Sequence, residues 1–312
     1  MYHLNIINKK KDVIKYEFKK MVIKGKDMII AIYGMGLIGG SIGRTIVKNT
    51  GHYVIAADID PAAMLKAKML GACHEEIDEK NISSADIIII AVNPYQTLDI
   101  LEELPTKVKS GAVIIDTCGI KRSIVSKMEG LKSIYPEVEF LGVHPMAGRE
   151  FSGISHSTTS LFEKAYFIIT PVHTGIEALV KIKTLFKEMG CEGVVTASAD
   201  YHDRVIAYTS QLAHIVSSSY VKSPMSREHH GFSAGSFKDL TRVAKLNPIM
   251  WTQLFLSNKD YLLEEISQLI EHLSEYKEAI AEGNFQELQK LLSEGVIRKE
   301  YADKLAKEKI NE

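Results

Sequence analysis

The sequence predicts an α/β fold, a doubly wound parallel sheet, followed by an all-α region. Three observations carry this. Short β-branched runs alternate with helical segments between Met28 and Ser198. One of them, ADIIIIAVNP, is apolar without interruption, as expected of a parallel strand buried on both faces. From Ala199 onward no strand-like run occurs. The predicted organisation is a basic, solvated or poorly ordered extension over residues 1–27, an α/β domain over 28–198 and a helical domain over 199–312.

In chain order, MIIAIYG is an apolar run that ends in glycine and reads as a buried strand. LIGGSIGRTIVKN follows as a helix and YVIAADID as a second strand, with Asp58 at its end. PAAMLKAKMLG has proline at a helix start and glycine at its stop. ADIIIIAVNP, GAVIIDT, VEFLGV, KAYFIITP and GVVTAS are the remaining strands, with a helix near Gly175 to Met189. A helix over about Ala199–Ser219 opens the second region, and a loop rich in glycine and histidine covers 222–235. Asn247 caps another helix and Pro248 suits its first turn. Within that helix Leu262, Ile266, Leu269, Leu273, Tyr276 and Ile280 form a heptad-like stripe. Core packing inside one subunit and a dimer seam both fit it. Gly283 and Asn284 end the helix, and an amphipathic segment follows.

Composition narrows the function classes. The chain has 312 residues, 46% of them hydrophobic, and a net charge of −1. This offers no overall electrostatic attraction for nucleic acid or an anionic membrane. No apolar run approaches the roughly 20 residues that span a bilayer. Three scattered cysteines, Cys73, Cys118 and Cys191, argue against a disulfide framework and for a reducing, cytoplasmic setting. Neither they nor the adjacent His229 and His230 have metal-ligand spacing, so no metal is expected. The first 27 residues are lysine-rich and lack the apolar core of a secretory signal.

GMGLIGG sets Gly34, Gly36 and Gly39 in GxGxxG spacing, with Leu37 and Ile38 between the last two. The motif alone is weak. Here it follows a strand and opens a helix, as a Rossmann-type dinucleotide turn requires. The glycines permit the tight turn, close approach of a pyrophosphate and helix–strand packing, and the helix N-terminus faces the phosphates. Asp58 lies 19 residues after Gly39, where a carboxylate accepts from ribose hydroxyls and repels a 2′-phosphate. NAD is therefore expected over NADP.

Ligands of such sheets bind beyond the carboxyl ends of the strands. Three polar clusters fall there: Asn93-Pro94, Asp116-Thr117-Cys118-Gly119 and His144-Pro145. Asn93 and Thr117 are candidate cofactor contacts. His144 sits in GVHPMAGRE, where Pro145 biases it toward extended geometry. A lone histidine is most often structural. One pinned at a strand end beside a dinucleotide turn can take a proton from an alcohol as hydride leaves. In the helical region Asp203, Ala207, Ser210 and His214 share one helix face, apart from the apolar stripe of Val205, Tyr208, Leu212 and Ile215. Lys238, Arg242 and Lys245 share a broad basic face, which suits a carboxylate but also suits plain solvation.

GMGLIGGS, HPMAGRE with the FSG after it, SQLAH and SFKDLTRVAKLNPIMW occur in this order. Together they resemble the prephenate dehydrogenase family over about Met28 to Ile280. The resemblance implies a Rossmann-type domain and an all-helical dimerisation domain, hence a homodimer. It implies NAD(P)-dependent oxidative decarboxylation of prephenate, or of arogenate in some relatives. It implies His144 as the catalytic base, Arg242 as the grip on a substrate carboxylate and His214 as a second active-site histidine. Glu150 and Asp203 match acidic residues near the site mouth, and Lys238 and Arg149 join the expected substrate contacts. One departure stands out. DTCGIK places Gly119 where many relatives carry a serine bonded to the catalytic histidine. The expectation is that His144 lacks that partner and that water or Thr117 supplies a substitute hydrogen bond.

Two other classes compete. A β-hydroxyacid dehydrogenase shares the fold plan but would carry a catalytic lysine on the helix after the nucleotide domain, where this chain has Asp203, Arg204 and His214. A non-catalytic NAD sensor needs the glycine turn but no base, and His144, His214 and Arg242 together weigh against it.

Overall fold

A computed structural model describes residues 7–10, 13–17 and 27–311. Strands β1 (Ile7–Lys10) and β2 (Val13–Glu17) precede the glycine-turn strand β3 (Ile29–Tyr33). Then come α1 (Leu37–Asn49), β4 (Tyr53–Ala57), α2 (Pro61–Met69) and β5 (Glu75–Glu76). The second half of the sheet comprises β6 (Ile87–Ile90), α3 (Pro94–Glu103), β7 (Val113–Asp116), α4 (Arg122–Ile134) and β8 (Glu139–Pro145). It closes with β9 (Tyr166–Pro171), α5 (Ile176–Glu188) and β10 (Gly193–Ala197). The helical region holds α6 (Ala199–Ile206), α7 (Ala213–Tyr220), α8 (Gly235–Thr241), α9 (Pro248–Ser257), α10 (Lys259–Ala281) and α11 (Phe285–Asn311).

The strands form one sheet in the order β1-β2-β10-β9-β8-β7-β6-β3-β4-β5. After β3 the chain winds outward through β4 and β5, then returns to β6 on the other side of β3. That reversal places a topological switch point at the carboxyl ends of β3 and β6. All four residues of β6 are buried. Ile87 and Ile89 pack into one core layer and Ile88 and Ile90 into the other. Each buried isoleucine is worth about 1.5–3 kcal/mol, so this strand needs helices on both faces.

The sheet departs from the all-parallel expectation in two places. β9 runs antiparallel to β8 because no crossover helix lies between them, only a short turn at Ile154–His156. β2 adds antiparallel to β10 and β1 to β2. The expected solvated extension thus supplies two strands, at 7–10 and 13–17. Its other residues, 1–6, 11–12 and 18–26, lie outside the described residues.

In the helical region, two features break the predicted regularity. Between α6 and α7, residues Ala207–Leu212 widen into a π-helical turn. The predicted faces do not hold. His202, Asp203, Ala207 and Gln211 are buried, whereas Val205 and Tyr208 of the supposed apolar stripe are exposed. The helix predicted to continue from Asn247 to Gly283 is interrupted at Asn258, at φ −126° and ψ 29°. Asn258 is fully buried, and its amide donates to Asp203 O and Gln211 Oε1, each at 2.8 Å, while its Oδ1 accepts from Arg122 Nη2 at 2.9 Å. The break lets one side chain stitch three helices together. Asn247 caps α9 as predicted, accepting from the N–H groups of Ile249 and Met250.

Candidate active site

The glycine turn has the geometry that a dinucleotide requires. Gly34 has φ +92°, and a Cβ there would lie 2.5 Å from Ala91 O. A Cβ on Gly39 would lie 1.9 Å from Gly34 O, so helix and turn pack with no room for a side chain. At Gly36 a Cβ would meet nothing within 4 Å, leaving open space at the N-cap of α1. Leu37 and Ile38 begin that helix, whose free N–H groups point toward the open space. Asp58 sits at the end of β4. Its Oδ2 accepts from Met35 N at 2.7 Å and its Oδ1 from Asp60 N at 2.9 Å. The carboxylate thus braces the glycine turn. The residues present fit a dinucleotide.

Of the three polar strand-end clusters, Asn93 caps α3 through its main chain, its carbonyl accepting from Thr97. Thr117 turns toward β6, its N–H donating to Ile90 O at 3.0 Å and its hydroxyl lying 3.4 Å from the same atom. Asp116 turns inward. It is fully buried and ion-paired with the equally buried Lys121, and it accepts from Cys118 N and Val143 N. Burial pushes the Cys118 thiol up to about 12, so it is protonated and a poor nucleophile at neutral pH.

His144 is held from two sides. It lies within β8, paired with Ile168 of β9, and Pro145 pairs with Phe167. Its Nδ1 lies 2.9 Å from Nε2 of His202. His202 Nδ1 in turn lies 2.7 Å from Oδ1 of Asp203; that Oδ1 also accepts from Lys121 N, and Oδ2 accepts from Arg122 N, at the start of α4. No side chain at position 119 meets His144, in keeping with the expected lack of a serine partner, but its Nδ1 has a partner that the sequence did not suggest, His202 from the helical region, while Thr117 bonds Ile90 O instead. Asp203, expected near the site mouth, is fully buried beneath it. Burial first, then His202 and Lys121, hold the His144 pKa well below the ordinary histidine value. Burial lowers His202 as well, against the pull of Asp203.

His144 Nε2 faces Gly119, whose Cβ position lies 3.8 Å away. Leu254 of α9 closes the other side of Gly119, and its carbonyl accepts from the buried Gln211. Helical residues therefore roof the carboxyl end of β7. Arg242, just after α8, pairs with Glu150 from the loop after β8, an ion pair that bridges the two regions. The Glu150 pKa is lowered by its own main-chain N–H and by Arg242. His214 stacks on Trp251 with ring centres 3.8 Å apart, and its Nδ1–H donates to Ser210 O. Burial lowers its pKa, and Arg242 nearby adds to this. Lys238 and Arg149 are exposed, with the Arg149 guanidinium 5.8 Å from the Phe151 ring. A cavity of about 240 Å³ lies beside the His214–Trp251 stack, bordered also by Ser218 and Lys222 but not by His144.

Sequence reasoning missed His202, Trp251 as a stacking partner, and the Lys121–Asp116 pair. The only local signal for His202 was its place beside Asp203 just after Ser198, whose side chain caps α6.

Comparison with known proteins agrees with this architecture. Residues 42–195 match the family model for the prephenate dehydrogenase nucleotide-binding domain, and residues 198–294 match that for the prephenate dehydrogenase dimerization domain. A prephenate dehydrogenase of Bacillus subtilis is 33% identical over 278 residues, spanning 84% of this chain and 72% of the relative. The crystal structure of Aquifex aeolicus prephenate dehydrogenase with hydroxyphenyl propionate and NAD+ superposes with a TM-score of 0.78 at 27% identity, covering 91% of this chain and all of that one. Synechocystis arogenate dehydrogenase gives a TM-score of 0.71 at 26% identity, covering 88% of this chain and all of that one. Among the described residues no helix is long and apolar enough to cross a membrane. With a glycine turn fit for a dinucleotide, a histidine held at the sheet's carboxyl edge and both domain matches in order, the chain belongs to the prephenate dehydrogenase family, dehydrogenases that act on prephenate- or arogenate-type substrates.

Proposed function

We propose that this protein catalyses the NAD-dependent oxidative decarboxylation of prephenate to 4-hydroxyphenylpyruvate, acting as a homodimer through its helical domain. The observation that supports this most directly is the arrangement of His144. Its Nδ1 is engaged by His202, and its Nε2 has no protein partner among the described residues and opens toward Gly119. That is the geometry of a general base awaiting a hydroxyl.

NAD, when bound, accepts the hydride. His144 Nε2 takes the proton of the ring hydroxyl as the C–H bond at the same carbon breaks. The bond to the ring carboxylate then breaks, carbon dioxide leaves, and its electron pair completes the aromatic ring. Aromatisation drives the reaction, so the protein contributes mainly positioning and one base. Gly34, Gly36, Leu37, Ile38 and Gly39 cradle the pyrophosphate, Asp58 takes the ribose, and Asn93 and Thr117 border the nicotinamide end. Arg242 grips a substrate carboxylate, assisted by His214, Lys238 and Arg149.

A second reading, arogenate as substrate, is favoured by Glu150. It lies beside Arg242, and a cation–anion pair at the mouth complements an amino-acid side chain as well as a keto acid. Purified protein assayed for NADH or NADPH formation, with prephenate and arogenate each against NAD and NADP, tests both. Prephenate with NAD should give the highest kcat/KM. Preference for arogenate would move the assignment to the second reading, and no turnover in any combination would refute both.

A further inference from the structure

The chain from Asp203 through His202 to His144 has only one consistent proton arrangement. Both Asp203 oxygens face main-chain N–H groups, Oδ1 that of Lys121 at 2.7 Å and Oδ2 that of Arg122 at 2.8 Å. Those donors cannot accept, so Oδ1 acts as an acceptor toward His202 also. His202 must therefore carry its proton on Nδ1. Neutral His202 then has a bare Nε2, which accepts from His144 Nδ1–H at 2.9 Å. That leaves His144 Nε2 without a proton and able to act as a base. The buried Lys121 is neutralised by Asp116, and the Arg122 guanidinium, its Nε 3.5 Å from Asp203 Oδ2, engages the oxygen that His202 does not use. His202 is 2% exposed and Asp203 fully buried, so water does not exchange for either partner.

We propose that His202 is a positioning residue for His144: anchored by Asp203, it fixes the His144 tautomer that leaves Nε2 unprotonated. It also accepts a hydrogen bond from the imidazolium that forms when Nε2 takes the substrate proton. The Nε2–H bond forms as the substrate O–H bond breaks, and the charge is spread along the His144–His202–Asp203 row. A histidine in water populates mostly the opposite tautomer, with the proton on Nε2, so the fixing matters for rate. The proposal rests on His144 being the base and explains how this chain manages with Gly119 at the serine position. The coupling also ties catalysis to domain docking. His202 and Asp203 belong to the helical region, whereas His144 and the N–H groups that hold Asp203 belong to the sheet domain.

The test reads both structure and rate on the full chain with NAD bound. Histidine-selective 15N NMR should show the His144 proton on Nδ1 in the wild type. His202→Leu removes the acceptor; His144 should revert toward the Nε2–H form. Its kcat should fall by about 100-fold or more, as histidine bases do in the wrong tautomer, with NAD affinity unchanged. His202→Gln restores an acceptor oxygen near the Nε2 position and should recover most of the rate and the Nδ1–H form. A wild-type His144 protonated on Nε2 would overturn the proposal, as would full activity in His202→Leu. Equal impairment of the Leu and Gln variants would reduce His202 to packing and overturn it too. If the wild type oxidises neither prephenate nor arogenate, the functional reading fails by itself, while the wild-type NMR measurement still decides whether His202 sets the tautomer.

Discussion

Gly119 faces His144. A Cβ at position 119 would stand 3.8 Å from His144 Nε2 and 3.4 Å from a methyl of Leu254. Both are ordinary contact distances. Gly119→Ser should therefore fold without strain and put a hydroxyl within reach of the base. A neutral hydrogen bond is worth about 0.5–1.5 kcal/mol net, so kcat should change by less than about tenfold in either direction. A variant that binds NAD normally but has no turnover would show that the space at 119 belongs to the substrate.

Strands β3, β4 and β6–β10 and the glycine turn were legible because periodicity and spacing report directly on burial and on backbone freedom, whereas β1, β2 and the two-residue β5 were not. Leu37–Asn49 and Pro61–Met69 fall where capping residues and apolar spacing place them. The site was half legible. His144 stood out through its proline and glycines, but His202 did not. Its role depends on a contact across 58 positions of chain, which no local pattern reports. Apolar spacing alone assigned Val205 and Tyr208 to the core when both are exposed, and the π-turn at Ala207–Leu212 breaks the uniform helix that such spacing assumes from Tyr208 onward. The inward turn of Asp116 was hidden for a related reason: an acidic residue at a strand end looks the same in sequence whether it faces a ligand or a buried lysine.

Acid should remove activity only well below the ordinary histidine range. Burial, His202 and Lys121 depress the His144 pKa, so the base is already neutral at pH 6.5. The acid limb of kcat/KM should lie below that value. Stability follows the same sign. His144, His202 and His214 all have lowered folded-state pKa values. Once pH falls below about 6.5 the unfolded chain binds protons that the folded chain refuses. Melting temperature should change little from there to about pH 8 and fall progressively beneath pH 6.5. An acid limb for kcat/KM above pH 7 would contradict the burial of His144.

Arg242 and Glu150 should act on substrate affinity more than on the chemical step. Arg242→Ala removes a charge-assisted contact worth about 1.5–3 kcal/mol, so KM should rise about 10- to 150-fold with kcat much less affected. Glu150→Gln removes the competing carboxylate. The Arg242 side chain is 62% exposed, and exposed pairs are worth about 0.2–1 kcal/mol, so KM for prephenate should fall by no more than about fivefold. Steady-state kinetics on both variants decide this. A large kcat loss with unchanged KM in Arg242→Ala would move the arginine from binding to catalysis.

Asp58→Ala should do two things at once. It removes the proposed ribose acceptor and also the carboxylate that holds Met35 N and Asp60 N. Loss of a charged hydrogen bond costs about 1.5–3 kcal/mol, so NAD should bind about tenfold or more weakly. NADP, no longer repelled, should lose less or gain. Titration of both cofactors checks the ratio. An unchanged NAD-to-NADP ratio would mean that this carboxylate only braces the turn.

The stripe along α10 divides into two parts with different duties. Leu262 is buried against the rest of its own chain, whereas Leu273 and Ile280 are 58% and 64% exposed. Gly283, at φ +64°, turns the chain so that α11 packs back on α10, with Tyr276 Oη donating to Leu291 O. The hairpin still leaves Leu273, Ile280, Leu292 and Val296 open, and exposed apolar groups on one hairpin mark an association surface. Placing two carboxylates there should block association without touching Leu262 or the His144 row. Leu273→Glu with Ile280→Glu should run as a monomer by light scattering and keep its helical circular dichroism. Leu262→Glu, by contrast, should lower the melting temperature, because it buries a charge within the subunit. A double variant whose mass stays that of a dimer would place the seam on another face of the helical domain.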